Sequence, residues 1–193
     1  MAAGTDTVYK LDLDDIIAFP DTQHIPVLPP KPGESWIILG EIVRDESLFR
    51  PVYRMRDKID CHFVVAFYTD SPAEDAAAAG CRVGHVLCIA NGMRHYFVDG
   101  SNGYRIEDPS TVYVLPCSMA QLRGLNQRLC ENSASGKMEQ CNTCEKPATE
   151  RCARCLVKYC SKECQSADWK EGGHRRECKV IARLRIWNRT DWG

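Results

Sequence analysis

Eight residues near the carboxy-terminal end of the chain have the types and the spacing of zinc ligands. In chain order they are Cys141-x2-Cys144-x7-Cys152-x2-Cys155-x4-Cys160-x3-Cys164-x9-His174-x3-Cys178. Zinc takes four thiolate or imidazole ligands in a tetrahedron, and two cysteines separated by two residues deliver two thiolates to one metal. Eight candidates therefore predict two complete sites. Because such sites leave no position for a water molecule, they indicate structural rather than catalytic zinc.

The residues around these ligands resemble the MYND zinc finger nearly position for position. The matching stretches are Tyr159-Cys160-Ser161, Cys164-Gln165, Asp168-Trp169 and Gly173-His174, followed by Cys178. The resemblance implies an interleaved pairing of the ligands. One zinc would be held by Cys141, Cys144, Cys160 and Cys164, and the other by Cys152, Cys155, His174 and Cys178. Each metal then closes chain loops across the other, so a segment too short for a hydrophobic core can fold.

The same resemblance implies that the finger binds other proteins. Several MYND fingers bind proline-rich segments of the pattern Pro-x-Leu-x-Pro, which are already extended and lose little entropy on docking. By position, the groove residues would be Ala153, Arg154, Gln165 and Trp169. Peptide-binding members have a small hydroxyl residue at the position of Ala153, and its loss here would weaken affinity. Packing against the zinc core is the alternative role for Trp169.

Composition favours an intracellular protein, nuclear or cytoplasmic, without a membrane segment. The chain has 193 residues and a net charge of −1, and its first 13 residues lack the basic start and apolar core of a signal peptide. In a reducing compartment, clustered cysteines are metal ligands more often than disulfides. Five of the 12 cysteines lie outside any ligand spacing and are predicted to be buried thiols: Cys61, Cys81, Cys88, Cys117 and Cys130.

Residues 36–117 predict a small β-barrel. Apolar or alternating stretches indicate strands at Trp36–Val43, Pro51–Asp57, Cys61–Tyr68, Val83–Ala90, Arg94–Val98 and Thr111–Leu115, with a short helix at Ala73–Gly80. The order of three strands, a helix and further strands, with Gly40 able to bend the long first strand, resembles the OB-fold. A different small β-barrel is the alternative.

The remaining chain divides into four further segments. Residues 1–35 are a proline-rich arm, residues 118–137 a helix and flexible linker, residues 138–180 the finger, and residues 181–193 a helical tail. The predicted fold class is therefore α+β: an OB-like barrel followed by a helix and a two-zinc cross-braced finger.

The arm itself contains a sequence of the kind that the finger is expected to bind. Pro26-Val27-Leu28-Pro29-Pro30 fits the pattern Pro-x-Leu-x-Pro. We therefore hypothesise a self-contact through Pro26, Leu28 and Pro30, either within one chain or between two copies. An arm that lies on the barrel is the alternative.

An enzymatic function fits the sequence poorly. The chain has no Gly-rich phosphate loop, nucleophile elbow or paired-carboxylate motif. It lacks the long carboxy-terminal extension and the Asn-His cofactor motif of SET-domain methyltransferases, and its ligand spacing does not fit a RING-type ubiquitin ligase. The sequence predicts a non-catalytic, zinc-binding adaptor, and the resemblance implies a role in transcriptional regulation.

Binding of single-stranded nucleic acid by the barrel is the alternative function. Candidate residues on or near the second and third strands are Phe49, Arg50, Tyr53, Arg54, Arg56 and Phe67. Against it, residues 1–135 contain 12 Lys and Arg against 18 Asp and Glu, a net charge of 12 − 18 = −6. An acidic surface disfavours a phosphate backbone, so nucleic acid is the less favoured partner.

Overall fold

A computed structural model describes residues 8–192 and divides the chain into two compact units. The finger unit comprises Met1–Asp12 and Ala120–Thr190, and the sheet unit comprises Leu13–Met119 and Asp191–Gly193. This division differs from the predicted boundaries in two places. The start of the arm and the helix after the sheet are both counted with the finger.

A seven-stranded sheet forms the sheet unit. Its strands are β1 Ile37–Asp45, β2 Val52–Arg56, β3 His62–Phe67, β4 Val86–Ala90, β5 His95–Tyr96, β6 Asn102–Ile106 and β7 Val112–Leu115. Helix α1, Pro72–Ala79, lies between β3 and β4 and ends at Gly80, which has a left-handed φ of 85°. The predicted helix and the six predicted strands are each observed, although β4 begins three residues later than expected and β5 keeps only His95–Tyr96 of Arg94–Val98. Strand β6 was not predicted. The mixed α+β class is confirmed as well.

The order of the strands requires the sheet to curl. It runs β5-β6-β3-β2-β1-β4-β7, and every pairing is antiparallel except that of β3 with β6. Only residues 107–111 connect β6, which lies beside β3, to β7, which lies beside β4. Five residues span less than about 20 Å. The two sides of the sheet are therefore brought close together.

Buried apolar side chains from the strands fill the interior of the curled sheet. They include Ile38, Ile42, Met55, Phe63, Val65, Phe67, Leu87, Ile89, Tyr104 and Val114, joined by Trp36, which immediately precedes β1. Gly40 is needed for this packing, since a Cβ at that position would lie 2.6 Å from the ring of Phe63. Of the five cysteines predicted to be buried thiols, Cys88 and Cys117 are buried and the other three are half-buried.

Short elements and three helices form the finger unit. They are α2 Met119–Ala134, β8 Glu150–Arg151, β9 Lys158–Tyr159, α3 Lys162–Ala167, a π-helical turn Asp168–Gly172 and α4 His174–Trp187. The predicted apolar side of α4 is confirmed, because Cys178, Ile181, Leu184 and Trp187 are all buried. Helix α4 continues through residue 181, where the sequence placed the start of a separate tail. Within residues 8–192, no helix has both the length and the apolar character that crossing a bilayer requires.

Candidate zinc centres and peptide groove

The structure gathers the eight predicted zinc ligands into two clusters. The first contains Cys141, Cys144, Cys160 and Cys164, and the second contains Cys152, Cys155, His174 and Cys178. In each cluster, the four ligand atoms lie within 4.8 Å of one another. Along the chain, successive pairs of ligands belong in turn to the first and to the second cluster. The pairing is therefore the interleaved one that the resemblance implies.

The spacing of the ligand atoms fits tetrahedral zinc. With a zinc–sulfur bond of about 2.3 Å, two sulfurs of a tetrahedron lie about 3.8 Å apart. In the first cluster, Cys160 Sγ lies 3.5 Å from both Cys144 Sγ and Cys164 Sγ. In the second, Cys152 Sγ lies 3.8 Å from Cys178 Sγ. The clusters therefore have the geometry, as well as the thiolate and imidazole chemistry, to hold two zinc ions per chain.

Both Cys-x-x-Cys turns have the same backbone geometry. The N–H of Cys141 donates to the carbonyl of Lys146 at 2.8 Å, and the N–H of Glu145 donates back to Cys141 at 2.9 Å. The turn at Cys152 repeats these two bonds at the same offsets and distances. In each turn the residue after the second cysteine has a left-handed φ, 59° for Glu145 and 63° for Leu156. This repeated turn directs the two thiols of each pair towards one point.

One thiol in each cluster ionises more easily than a free cysteine. Burial opposes ionisation of Cys141, but backbone N–H groups, that of Cys160 foremost, lower its pKa to about 6. Burial likewise opposes ionisation of Cys152, but the N–H of Cys155 and a hydrogen bond with His174 lower its pKa to about 6. Zinc binds the thiolate form. Both shifts therefore favour the form of the thiol that zinc binds.

The ring of His174 contacts two other aromatic rings. His174 is 1% exposed, and its Nε2 lies 3.4 Å from Cys155 Sγ. The ring of Tyr159 meets it edge-on at a centroid distance of 5.9 Å, and the ring of Trp169 does so at 5.7 Å. Nε2 is thus aimed into the cluster as the zinc ligand.

Of the predicted groove residues, three are exposed and one is half-buried. Ala153 and Arg154 are exposed in the second Cys-x-x-Cys turn, and Gln165 is half-buried on α3. Trp169 is 39% exposed although it contacts His174. Trp169 therefore packs on the zinc core with one edge and leaves part of its ring open to solvent.

A buried carboxylate inside the finger was not identified by the sequence as a structural residue. Asp168 is 7% exposed, and its Oδ2 accepts hydrogen bonds from Tyr159 Oη at 2.7 Å and from Asn142 Nδ2 at 2.8 Å. A Cβ at Gly172 would lie 2.2 Å from the other carboxylate oxygen, so that position requires glycine. No local pattern marks a contact between residues 26 positions apart.

Two of the aromatic residues predicted to bind nucleic acid lie in the core and not on the surface. Tyr53 is 7% exposed and Phe67 fully buried, and their rings meet edge-on at 6.3 Å in the core of the sheet unit. Neither can stack on a base. Phe49, in contrast, is completely exposed in the loop between β1 and β2.

Acidic side chains neutralise part of the predicted basic surface. Arg54 makes a double contact with Glu46, at 3.0 and 3.3 Å. Arg56 lies 3.7 Å from Asp60. These ion pairs reduce the positive charge available to phosphate groups.

The segment from Pro26 to Pro30 belongs to the sheet unit. Val27 is 89% exposed and Leu28 is 71% exposed. The leucine that a Pro-x-Leu-x-Pro contact would bury is therefore open to solvent. The self-contact through Pro26, Leu28 and Pro30 stays a prediction.

Comparison with protein families identifies residues 141–178 as a MYND finger, in agreement with the resemblance. Three curated proteins are similar over this region. Ubiquitin carboxyl-terminal hydrolase 19 of Arabidopsis thaliana is 49% identical over 41 residues, 21% of this chain and 6% of that protein. SET domain and MYND-type zinc finger protein 6 of Schizosaccharomyces pombe is 52% identical over 44 residues, 21% of this chain and 9% of that protein. Ubiquitin C-terminal hydrolase 15 of Oryza sativa is 44% identical over 48 residues, 24% of this chain and 5% of that protein.

These similarities are confined to the finger. The chain spans at most 9% of the length of these relatives, so the match concerns their fingers and not their enzymatic domains. Among solved structures, the mitochondrial single-stranded DNA binding protein Rim1 of S. cerevisiae covers 42% of this chain and 93% of its own, with 12% identity and a TM-score of 0.32. A likeness at that level carries no argument about fold or function.

Proposed function

We propose that this chain is a non-catalytic adaptor whose finger binds extended, proline-rich segments of the pattern Pro-x-Leu-x-Pro. The proline groove would consist of Ala153, Arg154, Gln165 and Trp169. A MYND finger is a zinc-dependent protein-interaction module, and residues 141–178 match one. The reducing interior of a cell, where thiols remain free to bind zinc, is the proposed location, and transcriptional regulation is the proposed setting.

The ligand sets support a structural role for the metal. Each cluster offers four protein ligands, which fill a tetrahedral zinc and leave no position for water or substrate. The metal would therefore order the finger and do no chemistry. The finger unit would therefore act through its surface residues, by binding another protein.

The position of Trp169 is the observation that carries the proposal. Its ring is anchored edge-on to the zinc ligand His174 and is still 39% exposed. Gln165 lies four residues earlier, about one helical turn away, so both side chains lie on one side of the finger. A rigid, half-exposed aromatic ring beside an amide is the kind of surface on which a polyproline segment docks. The amide supplies a hydrogen bond to the peptide backbone.

A binding assay with two variants tests the proposal. A labelled peptide containing Pro-x-Leu-x-Pro is titrated with the zinc-loaded protein, and a scrambled peptide serves as the reference. We expect Trp169→Ala and Gln165→Ala to weaken binding by about tenfold or more and by about threefold, respectively. Tyr96→Ala, which removes an exposed aromatic ring from the sheet unit, is the matched control. Zinc content is measured for each, because Trp169 touches a ligand.

The proposal fails if the wild-type protein does not distinguish the two peptides. It also fails if Trp169→Ala retains two zincs and full affinity. Among the described residues, no hydrogen bond or ring contact joins the side chain of Gln165 to a zinc ligand. The Gln165→Ala variant is therefore informative even if Trp169→Ala loses its metal.

We also propose that the arm competes with external peptides for the proline groove through Pro26, Leu28 and Pro30. The exposure of Leu28 supports its availability. A tethered segment competes at a millimolar-scale effective concentration if it reaches the groove. Leu28→Ala would then raise the affinity for an external Pro-x-Leu-x-Pro peptide, and an unchanged affinity would eliminate competition within one chain.

The sheet unit supports a second candidate function, with an OB-like barrel as the proposed fold. The pairing of β1 with both β2 and β4, and the parallel pairing of β3 with β6, support that topology. The guanidinium groups of Arg50 and Arg105 lie 3.9 and 4.4 Å from the ring centroid of Tyr68, and Arg50 directly follows the exposed Phe49 in the chain. Such a cluster of arginines and aromatics favours stacking with single-stranded nucleic acid.

Salt dependence tests this second candidate. Binding of a labelled single-stranded oligonucleotide should fall steeply as salt rises from about 50 to about 200 mM, and Phe49→Ala should weaken it further. No binding at the lower salt concentration would remove nucleic acid from consideration. The −6 charge of residues 1–135 makes the protein ligand the first choice.

A further inference from the structure

Side chains of α2 hold one edge of the extended segment formed by residues 8–12. The Oγ of Ser133 accepts a hydrogen bond from the N–H of Tyr9 at 2.9 Å. The Nδ2 of Asn126 donates to the carbonyl of Leu11 at 3.0 Å. Ser133 and Asn126 are seven residues apart and so lie on one face of the helix. The segment therefore runs along α2 in the opposite direction to the helix.

A single asparagine at the end of α4 holds the other edge. Asn188 Oδ1 accepts from the N–H of Lys10 at 2.8 Å, and its Nδ2 donates to the carbonyl of Val8 at 3.2 Å. In an extended chain, alternate residues direct their backbone groups to opposite edges. Residues 9 and 11 face α2 and residues 8 and 10 face Asn188, which is the pattern of one strand recognised along both edges.

The side chains of the segment alternate in the same way. Tyr9 and Leu11 are 4% and 8% exposed, whereas Val8 is 67% exposed and Lys10 is open to solvent. The hydroxyl of Tyr9 donates a 2.6 Å hydrogen bond to Asn126 Oδ1. The site thus selects an aromatic hydroxyl and, two positions later, a leucine, while the backbone contacts require only an extended chain.

These contacts are those of a bound peptide rather than of a strand in a sheet. The four backbone groups are satisfied by side chains that lie 115 to 180 positions away in sequence. The chain enters the sheet unit at Leu13, which is 4% exposed, and the next four residues, 14–17, are all exposed. Side-chain amides that bind a peptide backbone, with pockets for alternate residues, are a general means of recognising extended ligands.

We infer that Asn126, Ser133 and Asn188 form a clamp that binds extended peptides with a tyrosine followed two positions later by a leucine. Residues 8–12 occupy the clamp as a tethered ligand, and a partner segment with the same pattern competes with them. This clamp shares no residue with the proline groove, and its ligand contains no proline. The inference therefore does not depend on the proposed function.

Cleavage of the tether tests the inference in the full chain. A site for a specific protease is inserted after Asp14, in the exposed turn, and the purified zinc-loaded protein is cut there. Residues 1–14 then remain present without a covalent link. We expect this fragment to co-elute with the rest of the protein and to exchange with a labelled peptide of residues 5–14.

Variants of the peptide and the clamp establish specificity. Replacing leucine 11 of the labelled peptide by alanine should weaken binding by about tenfold, and replacing its tyrosine by phenylalanine by about threefold. Asn188→Ala in the protein removes two hydrogen bonds and should weaken binding by about tenfold. Gln127→Ala is the matched control, because this exposed amide neighbours Asn126 but bonds to Glu131 instead.

Three results would overturn the inference. The first is a fragment that stays bound for days without exchange, which would make it a permanent part of the fold. The second is loss of the fragment with no binding of the labelled peptide, whether or not the remaining chain keeps its zinc and its helical signal. The third is equal affinity for the native and the leucine-to-alanine peptides. Uncut protein should bind the labelled peptide far more weakly than cut protein.

Discussion

The hydroxyl of Tyr159 donates a 2.7 Å hydrogen bond to the carboxylate of Asp168 in the interior of the finger. Asn142 donates a second bond to the same oxygen. Tyr159 precedes the zinc ligand Cys160, Asn142 follows the ligand Cys141, and Asp168 precedes Trp169. One buried carboxylate therefore joins two ligand-bearing segments of the first cluster to the turn that carries the exposed tryptophan.

Removal of this carboxylate should destabilise the finger. Asp168→Ala leaves the Tyr159 hydroxyl and the Asn142 amide unpaired, and we expect the free energy of unfolding of the zinc-loaded protein to fall by about 2 kcal/mol. Urea denaturation, followed through the tryptophan fluorescence, measures the change. Glu171→Ala removes an exposed acid from the same turn and should alter stability by less than about 0.5 kcal/mol. Equal effects of the two variants would show that the carboxylate has no structural role.

Zinc content should report the two clusters separately. We expect about two zincs per chain in the wild-type protein, because two complete ligand sets are present. Cys160→Ser removes a ligand of the first cluster and should lower the content to about one. Cys61→Ser alters a cysteine of the sheet unit and should leave it unchanged. Elemental analysis of freshly purified protein gives the answer, and one zinc or none in the wild type would contradict the ligand assignment.

The zinc ligands could be predicted from the sequence because their chemistry is local. A pair of cysteines such as Cys141 and Cys144 meets one metal only at a short, fixed spacing, and that spacing is visible in the chain. Their interleaved pairing with Cys160 and Cys164 is not visible in the spacing. It came from the resemblance, and the structure brings the same four sulfurs together.

Burial on the strands could not be predicted in the same way. An alternating sequence pattern distinguishes an exposed from a buried face of a strand only when one of the two faces is solvent-exposed. In β3, five of the six residues are buried, so both faces of this strand are packed. The sequence therefore indicated Phe67 as a residue that could stack on a nucleic-acid base, although it lies in the core. Tyr9 and Leu11 alternate as a strand does, but their partners on α2 lie more than 110 positions away. The sequence alone therefore assigned the polar start of the chain to the proline-rich arm.

The left-handed residue of each Cys-x-x-Cys turn should tolerate glycine and reject a β-branched side chain. Glu145 has a φ of 59°, which costs most residues about 1 kcal/mol and β-branched residues more. Glu145→Gly should therefore leave zinc affinity unchanged or raise it slightly, although it removes an ion pair with Lys137. Glu145→Val should lower zinc affinity by about tenfold, as measured by competition with a chelator. Glu145→Gln, which removes the charge and keeps the backbone preference, is the control, and a loss of affinity equal to that of valine would mean that charge matters and not φ.

A hydroxyl at position 153 should strengthen peptide binding. Ala153 is exposed in the turn between Cys152 and Cys155, beside Arg154 in the proposed proline groove. Ala153→Ser adds one donor at the edge of that groove, and a single hydrogen bond to the peptide is worth about 1 kcal/mol, or about fivefold in affinity. Titration of a Pro-x-Leu-x-Pro peptide into the zinc-loaded variant measures the gain. Ala134→Ser places the same hydroxyl at the exposed end of α2 and should have no effect. If Ala153→Ser binds the peptide no better than wild type while keeping two zincs, the peptide does not lie along this turn, and the proline groove is wrongly placed.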